Sequence, residues 1–511
     1  MVMIAETISL GILSLPSALS TLGLLPGLFL LLTLGALATY TGLLIGAFKL
    51  RHPHIHSMAD AGTVLLGRGF GELLGAGQLL FVVFIMASHL LTFGIMMNAV
   101  SGHAACTLIF TLGGVLLSFG LTIPRTLKCL SWWSISSFVS IIAAVVVTMV
   151  GVVMQLRQGP EVGGADTVVV VVRLWPRADI AFHDAFLAVA NIVFAYAGHV
   201  AFFSFISELR RPEEFPKALA LLQGCDVAMY VVVAVVVYCY AGERVRSPAL
   251  DSAGPLLRKV AYGVAVPTIV VAGVVNGHVA VKYLYVRLFR DGGKDGGGEA
   301  KGKGSLMYQK TFKARGIWVA INAVLWVVAW IIAEGVPVFN DLLGLTSALF
   351  ASWFTFGLSG LFWFKMNEGR WFDGWRKVVG SLVAGLCVLI GLLMVSFCFS
   401  FSLASLLALS IPFLPSSFAF GFLGLSITFC PPRPSSRGHR WLWLNTRMEG
   451  KRHDPRALAN YCAFASIHYS ASSASTHPAC RSAKIANARW RAEVSRARIT
   501  RPPDMRQRVI W

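Results

Sequence analysis

Apolar residues run along this chain in stretches of roughly 20, divided by short polar breaks, which is the spacing of helices long enough to cross a hydrocarbon core. Eleven such stretches fall near 2–21, 25–48, 73–99, 105–123, 132–156, 182–207, 219–241, 260–287, 316–335, 342–364 and 378–398. A twelfth apolar run, about 401–428, has the length of a span but is drawn largely from Phe, Ser and Leu. The pattern predicts an all-α polytopic membrane protein whose transmembrane domain occupies residues 1–398. Residues 399–430 are read as a low-complexity hydrophobic segment that offers an extra span. Residues 431–511 show no hydrophobic periodicity and are read as a basic disordered tail.

Composition sharpens this picture. Of the 511 residues, 56% are hydrophobic and 13% charged, about half the charged fraction of a soluble chain. No basic leader with its own cleavage site stands apart from the first run, so no removable signal peptide is expected. The net charge of +20 does not point to nucleic acid. Residues 431–511 hold 16 Lys/Arg against Glu449, Asp454, Glu493 and Asp504, and the remaining +8 lies in the short loops of the membrane part. Membrane lipid is the expected surrounding; no nucleic acid and no obligate protein partner are implied.

The loops set an orientation. Loops 2/3, 4/5, 6/7, 8/9 and 10/11 carry 20 Lys/Arg, counting Arg287 at the edge of its run, against 7 in the five loops of the other side. The positive-inside rule therefore puts the N-terminus in the cytoplasm. Two loops stand out. "RDGGKDGGGEAKGKG" (290–304) reads as a flexible Gly/Lys linker. "RQGPEVGGADTVVVVVRLWPRAD" (157–179) offers either a short strand or a cover for the outer mouth. The nine cysteines form no CxxC, and most lie in apolar runs, so they read as small buried hydrophobes rather than a disulfide or metal framework.

The first run interrupts itself. "SLGILSLPSALSTLGLLPG" (9–27) carries Gly11, Pro16, Gly23 and Pro26. Unpaired backbone in hydrocarbon costs several kcal/mol per group, so a broken helix survives only where protein covers it or where it lines a cavity. One such helix proves little; a second in an equivalent place is the mark of transporters built from inverted repeats. Helix 6, which opens the second half of a five-plus-five arrangement, contains "NIVFAYAGHVAFFSFISELRRPEEFP" (191–216), thinned by Ala195, Ala197 and Gly198. The two halves therefore begin alike.

These stretches also carry a resemblance. "AETISLGILSLPSALSTLGLLPG" resembles the first helix of the amino acid/auxin permease family, the transmembrane amino-acid transporters, and in particular its fungal-type neutral amino-acid permease branch. "FAYAGHVAFFSFISELRRPEEFPKAL" (194–219) is similar to that family's helix 6, with Glu208, Pro212, Phe215, Pro216 and Lys217 in its terminal pattern. "NGHVAVKYLYVRLFR" (276–290) and "AEGVPVFNDLLGLTSALFASWFTFGLSGLFW" (333–363) resemble its helix 8 and helices 9–10. The likeness runs from residue 1 to about 398.

The resemblance implies the leucine-transporter-type fold: a 5+5 inverted repeat with an eleventh helix added. It implies secondary active transport of amino acids by alternating access, without a cofactor and driven by an ion gradient, H+ rather than Na+. In that fold backbone groups at the breaks bind the zwitterionic part of the substrate. The matching positions here are Gly11, Ile12, Leu13 and Ser14 in helix 1, and Phe194, Ala195, Tyr196, Gly198 and His199 in helix 6. Ser88 in helix 3 and Asn276 in helix 8 are the side chains expected to complete the pocket. A neutral substrate is expected because no charged partner for its side chain is evident there.

Each position has a plainer reading. Gly11 serves equally as a packing glycine, and His199 as a core histidine bonded to a carbonyl. Glu6 and Glu208 are coupling or gating candidates, but Glu6 lies near the cytoplasmic mouth and Glu208 close to Arg210 and Arg211. His89 and Asp226 are more weakly placed, and Glu334 and Asp341 read as solvated. Met1 falls almost at the first break, so the leading half of helix 1 reads as short. A non-transporting sensor of the same fold, and a membrane-embedded transferase using His199 as a base, are the rival readings; the transferase has no use for two matched breaks. The plasma membrane is preferred over the vacuolar membrane.

Overall fold

In hydrocarbon a backbone amide finds partners only within its own segment, so apolar runs of this length become helices. The computed structural model describes residues 2–124, 130–158, 170–291 and 312–410. Nearly all of the Gly/Lys linker, the first part of the 157–179 loop, the end of the 399–430 segment and the whole 431–511 tail lie outside the described residues. Helix 1 consists of α1 (Val2–Thr7) and α2 (Gly11–Leu22); α3 (Leu24–Arg51) is helix 2, and α4 (Met58–Leu66) is a short connector. Helices 3, 4 and 5 are α5 (Arg68–Ser101), α6 (Thr107–Thr122) and α7 (Leu130–Gln158). Helix 6 consists of α8 (Phe182–Ala195), a 3₁₀ stretch (Ala197–Ala201) and α9 (Phe202–Glu208). Helices 7, 8 and 9 are α10 (Phe215–Ala241), α11 (Pro255–Asp291) and α12 (Phe312–Gly335). Helix 10 runs from α13 (Phe339–Thr346) through two π-helical segments to α14 (Leu358–Met366), and helix 11 is α15 (Trp375–Ser410).

Among the described residues, nine helical runs are long and apolar enough to cross a membrane, and the shorter apolar α2 and α6 complete eleven segments. These coincide with the eleven apolar runs of the sequence. The chain is a multi-pass membrane protein, and its regular structure is all helical among the described residues. Five crossings is an odd number, so helix 6 starts on the side opposite to helix 1, and two sets of five, each opening on a broken helix, are inverted in topology. Helix 11 does not stop at 398; α15 continues to Ser410 into the segment read as separate.

Glycines let the key helices approach. On α3 a Cβ at Gly35, Gly42 or Gly46 would lie 2.9, 2.8 and 2.7 Å from side-chain atoms of Val227, Leu219 and Phe215 on α10. Small residues drive such contacts in membranes because packing replaces the hydrophobic effect there. Gly46→Leu is expected to destabilise the detergent-solubilised protein by about 1–3 kcal/mol through overpacking against the Phe215 ring, read as a lower apparent Tm. An unchanged transition would show that the two helices are not held this close.

Gly23, at the turn between helices 1 and 2, has φ +82°, and a Cβ there would come within 2.6 Å of the Trp175 carbonyl carbon. The described part of the 157–179 loop is not a strand. It covers this turn instead: the Leu24 and Leu25 N–H groups donate to the Arg173 and Leu174 carbonyls, each at 3.0 Å. Cys225, Cys239, Cys387 and Cys398 are free, whereas Cys106 departs from the sequence reading and is disulfide-bonded. Glu334, read as solvated, is half-buried and accepts a hydrogen bond from the Thr111 hydroxyl at 2.5 Å.

Candidate functional site

Helix 1 stops at Thr7 and resumes at Gly11, leaving Ile8, Ser9 and Leu10 between its halves. Pro16 lies inside α2 and does not break it. Gly11, Ile12, Leu13 and Ser14 are the first turn of α2, and all four are buried. The first N–H groups of a helix have no partner within it, and they form the positive end of its dipole. The Leu13 N–H bonds back to the Leu10 carbonyl, so Gly11 and Ile12 are the outermost donors, placed where a carboxylate fits. The Ser14 hydroxyl donates to the Gly11 carbonyl at 2.8 Å.

Helix 6 changes character at a matching point. Its α-helical half ends at Ala195, Tyr196 caps it, and the chain tightens to a 3₁₀ stretch before α9. The carbonyl end of α8 therefore lies beside the N–H end of α2, the two helices packing along one another. The contact is close: a Cβ on Gly11 would lie 2.7 Å from the Ala195 Cα, and one on Gly198 would lie 2.9 Å from the Thr7 Oγ1. Three of the expected residues, Gly11, Ala195 and Gly198, thus meet at one place, joined by Thr7. From helix 7, Tyr230 completes the junction. Its hydroxyl lies 2.8 Å from the Ala195 carbonyl and 3.3 Å from that of Thr7, so one donor serves both breaks.

Other expected residues face elsewhere. The His199 Nε2 lies 2.8 Å from the Ala38 carbonyl and 3.1 Å from the Thr41 hydroxyl, both on helix 2, while Nδ1 lies 3.2 Å from the Tyr196 carbonyl. The Tyr196 hydroxyl donates to the Leu31 carbonyl at 3.0 Å, and its ring packs edge-on to that of Tyr230. Phe194 is buried in the last turn of α8. Ser88 donates to the Phe84 carbonyl and Asn276 to that of Ala272, each within its own helix. His89, close by, faces the Ile269 carbonyl at 3.0 Å. Glu6 is half-buried in α1 and coupled electrostatically to Glu208. Glu208 is exposed, and it is Glu214 rather than Glu208 that Arg211 approaches, at 3.8 Å.

Helix 10 adds a feature the sequence reading passed over. Its Ser347–Ala351 and Trp353–Gly357 segments are π-helical, and the second packs against the 3₁₀ stretch of helix 6. Such wide turns concentrate at functional sites. Ser347 Oγ and Thr355 Oγ1 in these turns, and Asn191 Oδ1 one turn before Ala195, are buried without hydrogen-bond partners. A buried polar atom left unpaired costs about 1–3 kcal/mol, so these groups are suited to a polar solute. The hydroxyl-rich stretch "LTSALFASWFT" (345–355) was the available signal. An apolar cavity lined by His183, Leu187, Asp341 and Ala348 lies beside α8 and helix 10 and touches neither break.

Two broken helices whose breaks adjoin inside a multi-pass bundle define a transporter-type fold. The chain belongs to the transmembrane amino acid transporter family, whose sequence model, described as "Transmembrane amino acid transporter protein", matches residues 1–404. It is accordingly a transporter and not an enzyme. It is 36% identical over 393 residues to the N amino acid transport system protein of Neurospora crassa, covering 76% of this chain and 80% of that one. It is 32% identical over 358 residues to a transmembrane transporter of Gibberella moniliformis, covering 70% and 72%. Among solved structures it is similar to MhsT in complex with L-phenylalanine, at 12% identity and a TM-score of 0.45, covering 77% of this chain and 97% of that one.

Proposed function

We propose that this protein carries neutral amino acids across a membrane by alternating access, together with a proton. The observation that carries the reading is the junction itself: the N–H end of α2 lies beside the carbonyl end of α8, and the Tyr230 hydroxyl meets the carbonyls of Ala195 and Thr7 at the two breaks. The first end suits the substrate carboxylate and the second its ammonium. The residues that meet there, Thr7, Gly11, Ala195 and Gly198, present no charged side chain, which supports a substrate with a neutral side chain. The printed name of the Neurospora crassa relative, an amino acid transport system protein, supports the same class of substrate.

The loop charges support a cytoplasmic N-terminus, and uptake at the plasma membrane is preferred to movement across the vacuolar membrane. Binding from one side opens α1 and α9 or α2 and α8 in turn while the junction holds the substrate. The test is uptake by proteoliposomes of a panel of labelled amino acids, with and without an inward proton gradient. Neutral amino acids are expected to accumulate only with the gradient. No uptake of any member of the panel would sink the transport reading, and accumulation indifferent to the gradient would sink the proton.

A further inference from the structure

Helix 7 contains a carboxyl group that no element of the site described so far uses. Asp226 lies 11 residues into the 27-residue α10, well away from either helix end, and is 0% exposed. Neither Oδ1 nor Oδ2 has a hydrogen-bond partner. Its helix face is the buried one: Leu219, Leu222, Asp226, Tyr230, Val233 and Val237 all point inward. Asp226 is therefore one helical turn from Tyr230 on the same stripe, and Tyr230 holds the two breaks together. The neighbouring Val227 packs at the level of the Tyr196 hydroxyl, for both lie within 2.9 Å of the Cβ position of Gly35 on α3.

Among the described residues Asp226 enters no ion pair within 4.0 Å. The titratable groups that face it are Tyr196 from helix 6 and Tyr230 from its own helix. The cations of α3, Lys49 and Arg51, sit at the helix end and donate to carbonyls of Pro53, Ile55 and Met366. From α2 no ionisable side chain is offered, and from α1 the ionisable side chain is another acid, Glu6. An isolated carboxylate buried in this way costs many kcal/mol, and such a group becomes neutral rather than remain charged.

We propose that Asp226 carries the coupled proton, an assignment that rests on the proton-coupled reading above. The closed packing seen here is tolerated only by the protonated carboxylic acid. When helices 1 and 6 part from helix 7 and water reaches the group, the acid dissociates to carboxylate and a hydrated proton; dry closure around substrate requires that a proton be taken up again, whereas the empty carrier returns with water in the vacated site solvating the carboxylate. Tyr230 connects the two events, since the hydroxyl that binds the break carbonyls stands on the same stripe as the acid. Each loaded passage thus moves one zwitterion and one proton, a net charge of +1, and each empty return moves neither, with no bond other than O–H made or broken.

The experiment compares the full chain with Asp226→Asn and Asp226→Glu in proteoliposomes. The probe is a tritiated mixture of neutral amino acids, in sodium-free buffer with the membrane potential clamped. An inward gradient of one pH unit is expected to give the wild type about tenfold accumulation, the limit for one proton per zwitterion. Asp226→Asn, fixed in the neutral form, is expected to fall to a ratio of about one while still exchanging labelled for unlabelled substrate. Asp226→Glu is expected to retain gradient-driven accumulation. Gradient-driven accumulation by Asp226→Asn overturns the proposal. So does loss of exchange along with accumulation in both variants, which would make the residue structural. A wild type that ignores the pH gradient, or responds only when sodium is restored, overturns the proton-coupled reading itself, and that result is distinguishable because it appears without any mutation.

Discussion

Gly11→Val abolishes amino-acid binding while the chain still inserts and purifies normally: this is the expected outcome at the tightest point of the junction. A Cβ at Gly11 would sit 2.7 Å from the Ala195 Cα and 3.2 Å from its Cβ. The obstacle is backbone, not the tip of a flexible side chain, so relief requires that α2 and the end of α8 separate. Those are the two elements whose ends are proposed to hold the opposite charges of a zwitterion. Overpacking of a close contact costs about 1–3 kcal/mol, and each 1.4 kcal/mol is tenfold in affinity. Gly11→Ala is therefore expected to bind about ten- to hundredfold more weakly, and Val, with two further methyl groups, to show no binding in a scintillation-proximity or thermal-shift titration. Insertion is spared because valine is as compatible with hydrocarbon as its neighbours. Normal affinity in Gly11→Val would remove this turn from the site and leave Gly11 as a packing glycine alone.

The number and order of spanning helices were legible in the sequence because membrane spans announce themselves by length and hydropathy. The pairing of a broken helix 1 with a broken helix 6 was legible too, since small residues thin both stretches. The exact break was not. Ile8, Ser9 and Leu10 contain no proline or glycine, and Pro16, the obvious breaker, sits inside α2. What holds the break is remote: the Thr7 carbonyl is met by Tyr230, 223 positions away, and Gly198 closes on the Thr7 side chain. Side-chain direction was illegible for the same reason. His199 lies in the stretch expected to bind substrate, but its ring nitrogens face carbonyls of helices 2 and 6. Asp226 read as a weakly placed candidate in helix 7. The stripe it shares with Leu219 and Tyr230 at helical spacing was visible, and only the packing of helices 1 and 2 onto helix 7 gives the acid its meaning.

Tyr230→Phe tests whether a single hydroxyl keeps the two breaks in register. The substitution removes one oxygen, preserves the ring contact with Tyr196 (centroids 5.4 Å apart), and leaves the Ala195 and Thr7 carbonyls without their shared donor. Each carbonyl has two lone pairs, so the hydroxyl leaves an acceptor free for a substrate ammonium and acts as a tie rather than a plug. A lost buried hydrogen bond of this kind costs about 1–3 kcal/mol. Substrate affinity is expected to fall by about ten- to hundredfold, with the protein still folded. Tyr196→Phe is the matched control, because the Tyr196 hydroxyl is bonded to the Leu31 carbonyl of helix 2 and not to a break. It is expected to lower the apparent Tm with a much smaller loss of affinity. Tighter binding by Tyr230→Phe would reverse the interpretation: the hydroxyl would then be competing with the ammonium for the carbonyls, and the closed junction would be a resting lock that substrate must displace.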